Sequence, residues 1–279
     1  MNARLGRCFS PLGAALGCRH FDIAELLYQH GADVGIRGNQ KWTLLHASSR
    51  AGFVGSVRWL LDHWVGAQTR QDNHKAPIHL AEASGHLGQC KIIDPANDTN
   101  DTPLHLASLH GHFEIVRQLI EHGAEVNSLG EKHRTPLHLA SSLVSTEIVT
   151  LDPARADVYG RGKRPSSNSL FFGECVDLVQ VLIEHGADLI AQDDTGSTPL
   201  HLVSSKGSAR TVRVLIKHGA GVSARNGNHE IPLHLASSSG STETVRLFLR
   251  RGVEVNAQDW SHKMPLHLAS SLVCAKCDS

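Results

Sequence analysis

The sequence predicts an all-α fold, a solenoid of stacked helix–turn–helix units with short hairpin-like turns projecting from one edge. Two observations carry this. A six-residue phrase, Thr102-Pro103-Leu104-His105-Leu106-Ala107, recurs along the chain, and a second phrase ending in Leu-Ile-Glu-His-Gly-Ala follows it at a fixed offset. A third agrees with them: the chain has 279 residues with few aromatics and many small residues, which suits many thin helical units better than one thick core.

The first phrase returns at 135–140, 198–203, 231–236 and 264–269, with earlier versions at 10–15, 43–48 and 76–81. Its histidine column reads His46, His79, His105, His138, His201, His234 and His267, and the step is 33 residues from His105 to His138 and again from His201 to His234 to His267. Each phrase has a physical reading. Thr102 caps a helix and Pro103 takes its first position, where the missing N–H costs nothing. Leu104 and Ala107 then share a face, and Gly111 ends this short helix. Ile115, Val116, Leu119 and Ile120 form the apolar stripe of a second helix, which Gly123 ends. One unit is too small to hide its apolar face, so neighbours must stack.

The pattern resembles the ankyrin-repeat family, whose period is 33 residues and whose phrase is T-P-L-H-x-A. The resemblance covers residues 10–279, after a lead-in at 1–9. The units are read as 10–42, 43–75, 76–101, 102–134, 135–164, 165–197, 198–230, 231–263 and a partial 264–279. Three depart from the pattern. Unit 76–101 is short, its second helix cut by Asp94-Pro95. Unit 135–164 is atypical, interrupted at Asp152-Pro153. Unit 165–197 is degenerate, having lost its first phrase while keeping a second helix from Val176 to Ile183. An array with no polar terminal cap reads as a piece of a longer protein or an imperfect gene product.

The totals exclude several functions. Lys plus Arg and Asp plus Glu are 27 each, so there is no basic excess of the kind nucleic-acid binding requires. No apolar run reaches the length of a membrane helix. Six scattered cysteines argue for reduced thiols and an intracellular location, cytoplasm or nucleus. Cys274 and Cys277 have CxxC spacing, but a structural zinc needs two more ligands.

Twenty histidines invite a metal or catalytic reading, and the register answers it. The resemblance implies that the seven phrase histidines hydrogen-bond backbone. His30, His63, His122, His185 and His218 fall at second-helix C-termini, where positive charge is favoured. His74, His133, His229 and His262 share one turn register with Asn100 and Gly196, a pattern explained by positive φ. No serine has an ordered base and acid beside it, and there is no phosphate loop. The sequence therefore predicts no catalytic residue, cofactor, metal or small-molecule substrate.

What remains is the surface. The family binds partners through projecting turns and the inner face of first helices. Carried onto this chain, the expected contact residues are Trp42, His74, Lys75, Lys132, His133, Arg134, His229, Trp260, His262 and Lys263. That edge is rich in cations, while the second helices carry much of the acid, so the expected partner is a protein presenting an extended acidic segment. The function expected is a non-catalytic interaction scaffold. The alternative is the recognition array of a larger multidomain enzyme or signalling NTPase.

Overall fold

The computed structural model describes residues 10–36, 42–68, 96–143 and 171–270. The chain divides into two compact units, Met1–Glu131 and Lys132–Ser279. In the first unit, α1 is Pro11–Gly17, α2 Phe21–Gln29, α3 Leu44–Ala51, α4 Val54–Gln68, α5 Pro103–Leu109 and α6 Phe113–Glu121. In the second, α7 is Pro136–Ser142, α8 Phe171–Glu184, α9 Pro199–Lys206, α10 Ala209–Lys217, α11 Pro232–Ser239 and α12 Thr242–Arg250. Residues 265–270 open a further helix.

The helices start and stop where the phrases place them. Proline occupies the first turn of α5, α7, α9 and α11. Gly207 closes α9 at φ 73°, a left-handed value that costs a residue without Cβ nothing. Leu104, Ala107, Ile115, Val116 and Leu119, the expected core of one repeat, are all fully buried. Each such leucine contributes about 1.5–3 kcal/mol through burial.

The phrase histidine joins one repeat to the next. In α3, α5, α7 and α9 its Nδ1 accepts the backbone N–H of the cap threonine at 3.1–3.2 Å. An Nδ1 that accepts carries no proton, so the proton sits on Nε2. That nitrogen donates to a carbonyl immediately before a following phrase: His138 to Ser197 at 3.0 Å, His201 to Glu230 at 3.0 Å and His234 to Lys263 at 3.1 Å. The rings of these three histidines are fully buried.

The same bond links helices far apart in sequence. His46 Nε2 donates to the carbonyl of Asp101 at 3.0 Å, and α3 packs directly on α5 and α4 on α6. His79 and the Asp94-Pro95 interruption lie outside the described residues. Likewise α7 pairs with α8 and packs on α9. The ring needs only a correctly placed peptide oxygen, whatever the length of chain in between. Residues 144–170 and the cysteines at 274 and 277 lie outside the described residues.

The second-helix histidines also do what their register implies. His30, His122, His185 and His218 each donate from Nδ1 to the carbonyl four residues back, at 2.8–2.9 Å. They satisfy acceptors that a helix C-terminus leaves open.

Burial holds His138 and His201 below the ordinary imidazole value of 6.5, although their backbone partners pull the other way. The folded state thus binds these protons less well than the unfolded chain. Their contribution is complete above about pH 6.5 and is lost as pH falls through the depressed folded values. Urea unfolding at neutral pH is expected to show His138→Ala less stable by about 1–3 kcal/mol, the cost of orphaning the Thr135 N–H and Ser197 carbonyl. The difference from the parent should shrink on acidification below pH 6.

Candidate functional site

The projecting turns of the second unit form a ladder. Asp194 N–H donates to the Lys132 carbonyl at 3.0 Å, Gly227 N–H to Thr195 at 2.8 Å, and Trp260 N–H to Asn228 at 2.9 Å. Arg225 adds a clamp, its Nη1 donating to the carbonyls of His229 at 2.9 Å and Gln258 at 3.0 Å. The tips are therefore fixed in register along one edge.

Each tip is folded by an Asx side chain that sequence reasoning passed over. Asp193 Oδ1 accepts from the N–H groups of Thr195 at 2.9 Å and Ser197 at 3.0 Å. Asn226 does the same for Asn228 and Glu230, Asp259 for Ser261 and Lys263, and, in the first unit, Asn97 for Thr99 and Asp101. The signal was available: these four residues fall five positions before their phrases. Gly130 occupies that position before Thr135, and a Cβ there would meet Asp101 Oδ1 at 2.5 Å. Asp101 Oδ1 instead accepts the Glu131 N–H at 3.1 Å, so a carboxylate from the previous tip supplies the missing acceptor.

The residue two positions before each phrase is left-handed, as the sequence predicts: Asn100 at φ 61°, His229 at 59°, His262 at 57°, His133 at 53° and Gly196 at 70°. These geometries turn the histidine side chains outward, and all three are exposed.

The expected contact residues separate into groups. Trp260 is 72% exposed, with the ring of His229 edge-on at 5.4 Å. Lys132, His133, His262 and Lys263 are exposed, although His133 is engaged by the Asp194 carboxylate. Arg134 is half-buried, with Nε 3.4 Å from Asp193 Oδ2. Trp42 is a correction: it is only 7% exposed, 5.7 Å from the His46 ring and with the Arg50 guanidinium 5.5 Å over it. It immediately precedes Thr43, and its ring lies against the first helix of that repeat. His74 and Lys75 lie outside the described residues.

The edge is also less basic than its cations suggest. Asp193, Asp194, Glu230 and Asp259 alternate with Lys132, Arg134, Arg225 and Lys263 along the second unit's tips. On the outer helices, Arg117 bridges Glu114 at 2.8 Å and Glu121 at 3.1 Å, and Arg213 reaches Glu243 at 3.4 Å. The Arg117 hydrogen bond outweighs desolvation and holds Glu114 below the usual carboxylate range. Acid and base are thus interleaved on both faces.

The inner face carries leucines and hydroxyls. Ser142, Ser205 and Ser238 donate to the carbonyls of Leu139, Leu202 and Leu235 at 2.7–2.9 Å. Each hydroxyl proton is directed into its own helix, an arrangement with nothing to activate a nucleophile. Among the described residues no three His, Cys, Asp or Glu side chains converge as a metal site would require, and no helix is long and apolar enough to cross a membrane.

A family profile described as ankyrin repeats matches three copies, at residues 12–94, 90–151 and 169–259. The chain belongs to the ankyrin-repeat family. Members of that family generally mediate protein–protein interaction and are typically non-catalytic. The chain is 30% identical over 191 residues to the Drosophila melanogaster transient receptor potential cation channel subfamily A member 1, covering 60% of this chain and 16% of that protein. It is 24% identical over 148 residues to the Caenorhabditis elegans homolog, covering 50% and 12%. It is 24% identical over 194 residues to the ankyrin repeat protein nuc-2 of Neurospora crassa, covering 63% and 18%. The chain thus spans less than a fifth of the length of these relatives.

Arg134 and Lys132 are expected to behave differently despite their proximity. Burial pushes the Asp193 carboxyl up, but hydrogen bonds from Thr195 and Ser197 outweigh it and hold the group below the usual carboxylate range. Arg134→Glu sets a second carboxylate against it and should lower stability by about 1–3 kcal/mol, whereas Lys132→Glu should change it by less than about 0.5 kcal/mol. Thermal unfolding of the two single variants distinguishes them, and equal stability would contradict the geometry.

Proposed function

We propose that this chain is a non-catalytic intracellular scaffold that binds a protein partner along the turn tips and inner first-helix face of its second unit. The observation that supports this most directly is the tip ladder. It holds a largely exposed tryptophan, Trp260, beside His229, His262 and Lys263 on backbone fixed by its own hydrogen bonds. A rigid aromatic on a preorganised edge loses little entropy on binding, and tryptophan is enriched among residues that dominate binding energy. The inner face adds an apolar floor, Leu202 and Leu235 being half-buried beside hydroxyls already satisfied by their own helices.

The partner proposed is an extended acidic segment, with Lys132 and Lys263 as outward charges and Trp260 as anchor. Trp42 has no part in it, because its ring is packed against α3. A second reading has a specific observation behind it. The similar channel proteins and nuc-2 are far longer than the matched region, which favours an array serving as the recognition part of a larger polypeptide.

The test is partner capture from the native cell by the parent and by Trp260→Ala. Binding of the captured protein should weaken by at least about 2 kcal/mol in this variant, the scale of an interface anchor. Leu249→Ala, which removes an exposed residue of α12 away from the tips, should bind as the parent does. Equal binding by Trp260→Ala and parent would place the site elsewhere.

A further inference from the structure

The four tips that an Asx side chain folds differ in one respect. Asp193 is followed four residues on by Ser197 and Asp259 by Lys263, whereas the two amides, Asn97 and Asn226, are followed by the acids Asp101 and Glu230. At Asn226 the reason is visible. Its Oδ1 accepts the N–H groups of Asn228 at 3.0 Å and Glu230 at 2.9 Å, while its Nδ2 donates to Glu230 Oε2 at 2.9 Å. An aspartate would serve the first two bonds but would set carboxylate against carboxylate in the third, where like charges disfavour each other. Arg225 of the same tip turns Nη1 to the carbonyls of His229 and Gln258 rather than to this pair. The tip therefore depends on an amide at 226.

That amide stands in a labile setting. Asn226-Gly227 is the one Asn-Gly step in the sequence; Asn97, Asp193 and Asp259 are followed by Asp98, Asp194 and Trp260. Glycine has no side chain to crowd its own nitrogen, so that nitrogen can approach the preceding Cγ. Asn226 is buried, but Gly227 and Asn228 are exposed to water. One contact opposes the reaction. The Gly227 N–H donates to the Thr195 carbonyl at 2.8 Å, which keeps the proton on this nitrogen and the nitrogen in the ladder.

We propose that Asn226 is a deamidation site, gated by the ladder bond of Gly227, and that its conversion to an acid loosens the tip beside Trp260. When the tip opens, the Gly227 nitrogen loses its proton to solvent and attacks Asn226 Cγ. A C–N bond forms, the Cγ–Nδ2 bond breaks, and the amide nitrogen leaves as ammonia with a proton from solvent. The resulting succinimide takes up one water and opens to aspartate or isoaspartate. The net change is one water consumed and one ammonia released. Aspartate exchanges the bond to Glu230 for a repulsion, and isoaspartate also lengthens the main chain through the turn. Either weakens the tip to which the next is tied, because the Trp260 N–H donates to the Asn228 carbonyl at 2.9 Å. The modification needs no binding partner and does not rest on which partner the edge takes.

The test ages the whole chain at pH 8 and 37 °C, folded and in guanidinium chloride, and follows the amide-to-acid change of each asparagine by mass spectrometry of its peptides. In guanidinium chloride Asn226 should convert fastest of all. In the folded chain it should convert at least about tenfold more slowly, since opening must precede attack. Gly196→Ala, whose Cβ would meet the Gly227 nitrogen at 2.7 Å, should part the two tips and raise the folded rate, with circular dichroism unchanged. In Asn226→Asp the Trp260 amide should exchange with deuterium at least about tenfold faster than in the parent, and Asn226→Asp/Glu230→Gln should return that rate to within about twofold, because the new amide can donate to the new carboxylate. No preference for Asn226 in guanidinium chloride overturns the site. Equal folded and unfolded rates, or a folded rate unmoved by Gly196→Ala, overturn the gate. Unchanged Trp260 exchange in Asn226→Asp, or no recovery in the double variant, overturns the effect on the tip.

Discussion

The fold depends on one buried imidazole used at both ends. Its Nδ1 receives the N–H at the start of its own helix, and its Nε2 reaches a peptide oxygen of a following turn. The first bond shapes the cap and the second fixes the spacing between units. A neutral ring with this tautomer is the only protonation state that serves both bonds, because a proton on Nδ1 would oppose the cap N–H. Helix start, unit spacing and the position of the turn tips therefore share one chemical condition.

The tips inherit their order from this arrangement. Each ends at the carbonyl that a ring holds, begins at an Asx side chain that accepts its N–H groups, and bonds through backbone to its neighbour. Side chains between these fixed points are left to face solvent. Trp260 and the outward histidines stand on such positions, whereas Trp42, one place from its phrase, is drawn onto the helix. Register alone does not decide this, since Lys263 also stands one place before its phrase and is exposed.

Much of this was legible in the residues. The phrases located the helices, because proline, glycine and the apolar spacing each report a local geometry that neighbours do not override. The left-handed histidines were legible for the same reason. The pairing of α3 with α5 was less so, because it depends on which peptide oxygen meets the His46 ring. The charge of the edge was misread because cations at the tips are conspicuous, while Asp193 is a turn-forming residue whose carboxylate, tucked under Arg134, gives no sign of itself in a count of surface basic groups.

Gly130 shows how the scaffold and its surface can change separately. Where the usual Asx acceptor is missing, the Asp101 carboxylate crosses from the preceding turn and binds Glu131 in its place. The substitution keeps the turn's geometry by borrowing from a neighbour, and the ring beneath asks only for a carbonyl, which every residue has. Inheritance of shape is thus carried by main chain and a handful of registers, leaving the outward letters of each turn open to drift. In a lineage of such arrays, partner choice can diverge by single substitutions at the rim while the helices beneath stay as they were.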